Sequence, residues 1–479
     1  MLLFKVFVLV LFMVSTLLAK PNFKPLNANQ LENQFQRSIY FLLKNTSPSD
    51  GLKGSVIAAP SRSHPDYYYH WVRDAALVVD SLLNIYVDPR FKNQAIKTQI
   101  KSFLLDHIQF NSKIQISSQP FNGLGEPKFW VTGLPFTGPW GRPQNDGPAL
   151  RASTHTRILD LALREKWPEA NQLASFLYAA KIPADSLIKR DTEFVAHHWR
   201  EPNFDLWEEV YGMHFYTLLA QRKSLLFGAA VASAFKDQGA AQFYTAQANQ
   251  IGSTLESFWT QGRGYIEATK LVQRGRNKSQ LDSAVLLGVL HSEIEDAHFS
   301  VSDPRVLASF LRMKSAFGSI YSINKNTAYG TAIGRYPEDT YDGYNTNSRG
   351  NPWVLSTAAG AEYLYRLMMS HLKKKQIQIN DFNRNYYADL AGSQLKSGQV
   401  LTPMDRNYSL IIKGLFEEAD SYLARVLFHR NADGSLSEQM NRENGYMQGA
   451  PNLTWSHASI ITAKLRRDDA LSIGRAFLK

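Results

Sequence analysis

At 479 residues the chain has the length of about three average domains or of one large enzyme, and with 44% hydrophobic against 20% charged residues it holds ample core material, which excludes global disorder. The 53 Lys and Arg against 42 Asp and Glu give a formal charge of +11, but the basic residues are scattered, densest at Lys373-Lys374-Lys375 and Arg466-Arg467, so a solvated basic surface and no nucleic-acid partner are expected. The complete lack of cysteine excludes disulfides, thiolate metal sites and cysteine nucleophiles, leaving the core to hold the fold.

In chain order, Lys5 is followed by an apolar run from Val6 to Ala19, interrupted only by Ser15 and Thr16. This falls short of the roughly 20 residues of a membrane span and reads as a signal peptide over residues 1–19. Export to the outside of the cell is expected, with no stable membrane insertion after cleavage. From residue 20 to 479 no low-complexity segment or Ser/Thr/Pro-rich linker interrupts the chain, so one domain is expected there.

The first aromatic loop is P-D-Y-Y-Y-H-W-V-R-D, Pro65 to Asp74, with Asp74 expected as N-cap of a helix whose apolar face is Val78, Leu82 and Ile85. It joins a flat aromatic wall to an Arg-Asp pair, which suits a sugar's apolar ring face and its hydroxyls. A short strand is expected near Ile114 to Ser117. Next come G-L-G-E-P-K-F, Gly123 to Phe129, and Thr137 to Arg151, where Pro and Gly present Trp140, Arg142, Gln144 and Asp146. A helical run follows around Ile158 to Leu163, and His197-His198, lacking an H-E-x-x-H context, reads as structural.

The stretch N-F-D-L-W-E-E-V-Y-G, Asn203 to Gly212, crowds Asp205, Glu208 and Glu209 around Trp207. A carboxyl beside an indole loses solvation, which favours its protonated form, as a general acid requires, although two solvated surface acids would give the same letters. A long helix follows, with Phe215, Leu218, Leu219, Leu225, Leu226, Ala229 and Ala230 on one face. After a helical run at Ala284 to Leu290, H-S-E-I-E-D-A-H, His291 to His298, matches no metal-ligand spacing and reads as a solvated turn. No metal and no cofactor are expected.

Two loops remain, G-R-Y-P-E-D-T-Y-D-G with G-N-P-W, Gly334 to Trp353, and D-G-S-L-S-E-Q with N-L-T-W-S, Asp433 to Ser456. Each again joins carboxylates, an arginine or amide, and a tryptophan. Helical runs at Ala358 to Met369 and Phe416 to Leu427 and a short strand at Gln399 to Thr402 complete the reading. The loops centre near Asp74, Asp146, Glu208, Asp282, Glu338 and Glu438, roughly 60 to 100 residues apart, with room for two helices in each interval. An all-α fold follows, an (α/α)6 barrel with its long functional loops at one end. A solenoid of helix pairs would show a repeating sequence, and none is visible.

Together and in this order, the loops resemble those of the glucoamylases, the glucan 1,4-α-glucosidases of glycoside hydrolase family 15, most closely their yeast-like branch. The motifs extend from residue 65 to 456. The resemblance implies an (α/α)6 barrel and an exo-acting, inverting hydrolase that removes glucose from non-reducing ends of starch, glycogen and malto-oligosaccharides. It also implies Glu208 as general acid and Glu438 of S-E-Q as general base, and inversion needs two carboxyls about 6.5–9.5 Å apart with a water between. Arg73, Asp74, Arg335 and the backbone near Leu206 and Trp207 would bind hydroxyls of the terminal glucose. Tyr67 would sit near the base and its water, and Glu209 would bind the next sugar. Trp140 would brace the acid, while Trp353 and Trp455 would line the pocket.

The chain departs from relatives that carry disulfides or a linked starch-binding domain, and G-A-P-N-L-T-W replaces a more polar lead-in to Trp455. A catalytic domain without a starch-binding domain, acting as a monomer on α-glucan, is the expectation. A related hydrolase of α-1,6-glucan or trehalose, or a non-catalytic glucan-binding protein, would share the barrel.

Overall fold

The structure, a computed structural model, describes residues 23–118, 123–292, 294, 296 and 298–478. The expected signal segment lies outside the described residues. The helices are α1 Ala28–Lys44, α2 Val72–Val87, α3 Gln94–Ser117, α4 Asp146–Arg164, α5 Ala170–Leu177, α6 Leu187–His198, α7 Phe215–Ala234, α8 Gln238–Leu255, α9 Ala284–Ser292, α10 Pro304–Ile320, α11 Val354–Lys374, α12 Arg384–Ala391, α13 Arg406–His429 and α14 Thr454–Gly474.

Two kinds of helix follow from the apolar pattern. In α7 every residue from Phe215 to Leu225 is buried, and α11 is buried over nearly its whole length from Val354 to Leu372, as expected of helices surrounded on all sides. By contrast α1 buries Leu31, Phe35, Ser38, Ile39 and Leu42 on one face, and the Asn27 side chain caps it by accepting from the Gln30 amide at 3.0 Å. The enclosed helices form a ring: α2 packs on α4, α4 on α7, α7 on α9, α9 on α11, α11 on α14, and α14 back on α2. Around them α3, α6, α8, α10, α13 and α1 pack on α2, α4, α7, α9, α11 and α14 in turn. This is the expected (α/α)6 barrel. Its main core runs from Leu31 to Ala470, and among the described residues no helix is long and apolar enough to cross a membrane.

All six inner helices start at one end, where the motif loops gather. Short antiparallel pairings fasten those loops: His70–Trp71 with Lys128–Phe129, Asn203–Phe204 with Val210–His214, and Gln439–Met440 with Met447–Gln448. Along the barrel axis the six helices leave only a small cavity of about 50 Å³, which has Trp455 in its wall.

Three local expectations are corrected. α2 begins at Val72, so Asp74 lies inside its first turn and Trp71 precedes it. Ile114–Ser117 is the last stretch of α3, where burial of Ile114 and Gln115 against neighbouring elements decides for helix over the short alternating pattern. The solvated turn expected over His291–His298 does not include its first two residues: His291 and Ser292 close α9, with His291 Nδ1 3.0 Å from the Tyr216 hydroxyl, whereas Ile294, Asp296 and His298 are non-helical, Asp296 is exposed and His298 Nδ1 lies 3.2 Å from Glu256 Oε1. The strand near Gln399 is present, as Val400–Leu401 paired with Ile377–Gln378. His197 and His198 pair with Glu193 and Glu201 on the surface.

Candidate active site

Between the loops lies a cavity of about 410 Å³. Every residue given a catalytic or sugar-binding role from the sequence lines it, namely Glu208, Glu438, Tyr67, Arg73, Asp74, Trp140, Leu206, Trp207, Glu209, Arg335, Trp353 and Trp455, whereas Arg142, Gln144, Asp146, Asp205 and Glu338 do not. Trp71, Tyr341 and Thr346 also line it. Arg73 and Asp74 come from the first turn of α2, Trp353 immediately precedes α11, and Trp455 is in the first turn of α14. The sequence-distant motifs meet because they all lead into inner helices.

Glu208 stands in a tight turn with φ +66, a left-handed conformation that costs a non-glycine residue about 1–2 kcal/mol. Asp205 holds that turn. Its carbonyl accepts from the Glu208 amide at 2.9 Å, and its Oδ1 accepts from the amides of Glu209 at 2.7 Å and Val210 at 2.9 Å. Burial pushes the Asp205 carboxyl up, but the Lys278 ammonium, His214 and the two amides together hold it below the usual carboxylate range.

The indole hydrogen-bonded to Glu208 is that of Trp71, not Trp207 or Trp140. Trp71 Nε1 donates to Glu208 Oε1 at 2.8 Å, and Gln144 Nε2 donates to the same oxygen at 3.0 Å. Arg73 Nη2 is 3.6 Å away from it, while Arg73 Nη1 donates to Gln144 Oε1 and to buried Asp146 Oδ2. Trp207 turns its N–H to Asp282 Oδ1 at 2.8 Å. Trp140 acts one layer back, its ring 5.8 Å from that of Trp71. Lys128 Nζ sits 3.7–4.5 Å from the rings of Trp140, Tyr69, Phe136 and Trp71, a caged cation whose burial lowers its pKa to about 8.

Glu438 is fully buried and leads into the strand Gln439–Met440. Its amide donates to the Ala450 carbonyl at 2.9 Å and its carbonyl accepts from the Val354 amide at 3.2 Å. Tyr67 OH donates to Oε1 at 2.9 Å, and Gln439 Nε2 to Oε2 at 3.2 Å. Gly449, at φ +76, passes so close that a Cβ there would stand 2.5 Å from Oε2. Burial pushes the Glu438 carboxyl up, against the pull of the Tyr67 hydroxyl, Arg335 and Tyr341.

Arg335, 4% exposed, is a buried cation of the cavity wall. It grips Asp339 with two hydrogen bonds of 2.8 and 2.6 Å and reaches Glu209 Oε1 at 2.9 Å. Glu209 Oε2 accepts from Tyr336 OH, so both of its oxygens are engaged by protein donors. In R-Y-P-E-D the acid that works is therefore Asp339, while neighbouring Glu338 is exposed. Asp74, partly buried in the pocket wall with Arg73 Nε at 3.6 Å, is pushed up to about 6 by loss of solvation, against the pull of the Arg73 charge. Among the described residues no group of three or more His, Asp or Glu is placed to hold a metal ion.

Chemically, this is a pocket with aromatic walls, several buried charges that can bind hydroxyls, and two glutamates whose oxygens are set by different donors. Residues 36–465 match the family model described as "Glycosyl hydrolases family 15". The chain is similar to glucoamylase of Blastobotrys adeninivorans, 36% identical over 437 residues that cover 90% of this chain and 69% of the relative. It is also similar to glucoamylase 1 of Rhizopus oryzae, 36% identical over 435 residues, covering 90% and 70%. Among solved structures it resembles the glucoamylase from Saccharomycopsis fibuligera with a TM-score of 0.82 and 31% identity, covering 95% of this chain and 100% of the other.

Proposed function

Because the chain belongs to family 15 of the glycosyl hydrolases, we propose that it releases β-glucose from non-reducing chain ends with inversion, using Glu208 as general acid and Glu438 as general base. Its activity is that of a glucan 1,4-α-glucosidase, an exo-acting hydrolase that frees glucose from α-glucan. The observation that carries the mechanism is one pocket lined by both glutamates, each oriented by its own donors.

Two N–H donors occupy Glu208 Oε1. An oxygen accepting both cannot also carry the proton without a clash of hydrogens, so the transferable proton resides on Oε2. That proton goes to the glycosidic oxygen as the bond to C1 breaks. On the other face Glu438 takes a proton from water as the water oxygen bonds to C1. Arg73, Asp74, Arg335 and the backbone at Leu206 and Trp207 bind the terminal glucose, Tyr67 sits beside the base and its water, Glu209 binds the next sugar, Trp140 braces the acid, and Trp353 and Trp455 form walls. The same proposal includes a single catalytic domain over residues 20–479, supported by a core that joins Leu31 to Ala470. It includes a monomer, since one chain lines the whole pocket, and export, supported by the apolar run Val6 to Ala19.

Proton NMR of the protein acting on maltoheptaose tests the stereochemistry. Early signal from the β-anomer, with chains shortening one unit at a time, is expected; early α-glucose would rule out inversion. A second expectation concerns pH. Glu438 must be ionised to act, and burial raises its pKa, so activity is lost on the acid side at a pH above the ordinary glutamate value of about 4.3. Tyr67→Phe removes a donor to the ionised form and raises that pKa further. The acid limb of kcat/KM is expected to move up by about one pH unit, and an unmoved limb would separate Tyr67 from the base.

A further inference from the structure

The acid's turn gathers three carboxylates, and the structure shows what keeps them together. Lys278, with a side chain only 4% exposed, places Nζ 3.3 Å from Asp205 Oδ2, 3.4 Å from Glu209 Oε2 and 3.7 Å from Asp282 Oδ2. Its ammonium also lies 3.8 Å from the centre of the Tyr336 ring. In each carboxylate the other oxygen is at work elsewhere. Asp205 Oδ1 caps the turn, Asp282 Oδ1 accepts from Trp207 Nε1 and from the Ala284 amide at the start of α9, and Glu209 Oε1 accepts from Arg335.

Three negative charges at this spacing, those of Asp205 and Asp282 buried and that of Glu209 partly so, repel one another, and Arg335 is already shared with Asp339. Among the described residues Lys278 is the one cation in contact with all three. Without it the carboxylates would separate or take up protons, and each such change reaches the residues flanking Glu208: the turn amides, the Trp207 indole, or Arg335. A strained φ at Glu208 persists only while its surroundings over-determine it.

We infer that Lys278 is a positioning residue for the general acid: its ammonium draws Asp205, Glu209 and Asp282 together and so fixes the turn from which Glu208 reaches the glycosidic oxygen. The inference rests on the reading of Glu208 as the acid. It requires that loss of Lys278 harm proton donation more than sugar binding, and harm it only where a proton is needed.

The test compares maltose with α-D-glucopyranosyl fluoride, whose fluoride leaves as the anion with far less need of a proton donor. For Lys278→Met, kcat on maltose is expected to fall on the order of 30- to 100-fold, reaching the lower end of the roughly 10²- to 10⁴-fold that general acid catalysis supplies, since the acid itself remains. On the fluoride kcat should change by less than about threefold, and KM for either substrate should stay within a similar factor. Equal losses on both substrates would mean a merely structural lysine, and no loss on maltose would remove its role; either result overturns the inference. Glu208→Gln on the same two substrates is the control. If that variant also loses both equally, the acid assignment fails, whereas selectivity in Glu208→Gln but not in Lys278→Met sinks only the lysine. Should Lys278→Met not fold, Lys278→Met with Asp282→Asn, which removes one carboxylate with the cation, carries the same comparison and the same expected ratio.

Discussion

Replacing Glu208 by Gln is expected to lower kcat on maltoheptaose by about 10³- to 10⁴-fold while KM changes by no more than a few fold. The amide fills the same space and can accept from Trp71 Nε1 and Gln144 Nε2 through its oxygen, so the wall around it has no reason to move. What it cannot do is deliver a proton as the leaving oxygen becomes negative. Because the lost interaction exists only in the transition state, the effect belongs in kcat rather than KM. Steady-state kinetics with oligosaccharide binding measured by tryptophan fluorescence separates the two; a variant that turns over at near-normal rate would remove Glu208 from the acid role.

The second large effect is at the opposite face. Glu438→Gln is expected to lower kcat by about 10²- to 10⁴-fold, since an amide cannot accept the proton of the attacking water. It has a second consequence of opposite sign. Burial raises the Glu438 pKa in the folded state, so the stability linked to this group is fully present below the unfolded pKa near 4.3 and is lost as pH rises through the raised folded value. A neutral amide does not pay that desolvation. The inactive variant should therefore melt at higher temperature than the parent near pH 7 and converge with it near pH 4, as read by calorimetry at the two pH values. A lower melting temperature at neutral pH would show that the carboxylate is stabilised rather than strained by its donors.

The barrel and the pocket were legible in the sequence because the motif loops recur at intervals of two helices and carry residue types that packing does not explain. What failed was decided by distance along the chain. That Trp71 and not Trp207 holds Glu208 depends on a contact across 137 positions, and adjacency in W-E-E suggested the wrong indole. Lys278 is one basic residue among 53 in letters, and only its burial against three carboxylates distinguishes it. The N-cap of α2 lies at Trp71 and not at Asp74, a boundary error of three residues, because Asp74 suits a first helical turn as well as a cap. At Ile114–Ser117 a four-residue alternation was too short to compete with a 24-residue helix, whose partners lie elsewhere in the chain.

The floor of the pocket carries a last implication. Trp455 stands between the 410 Å³ cavity and the barrel axis, where only about 50 Å³ remains, room for a little water and not for a hexose. Among the described residues the pocket has no rear exit, so each freed sugar leaves by the opening through which the polymer entered, and the shortened polymer must first back away. Withdrawal after every cleavage gives the polymer a chance to depart each time, which works against riding one strand to its end. A population of chains shrinks together instead of some vanishing while others stay intact, and the speed of digestion follows the number of chain tips on offer more than the mass of polymer behind them.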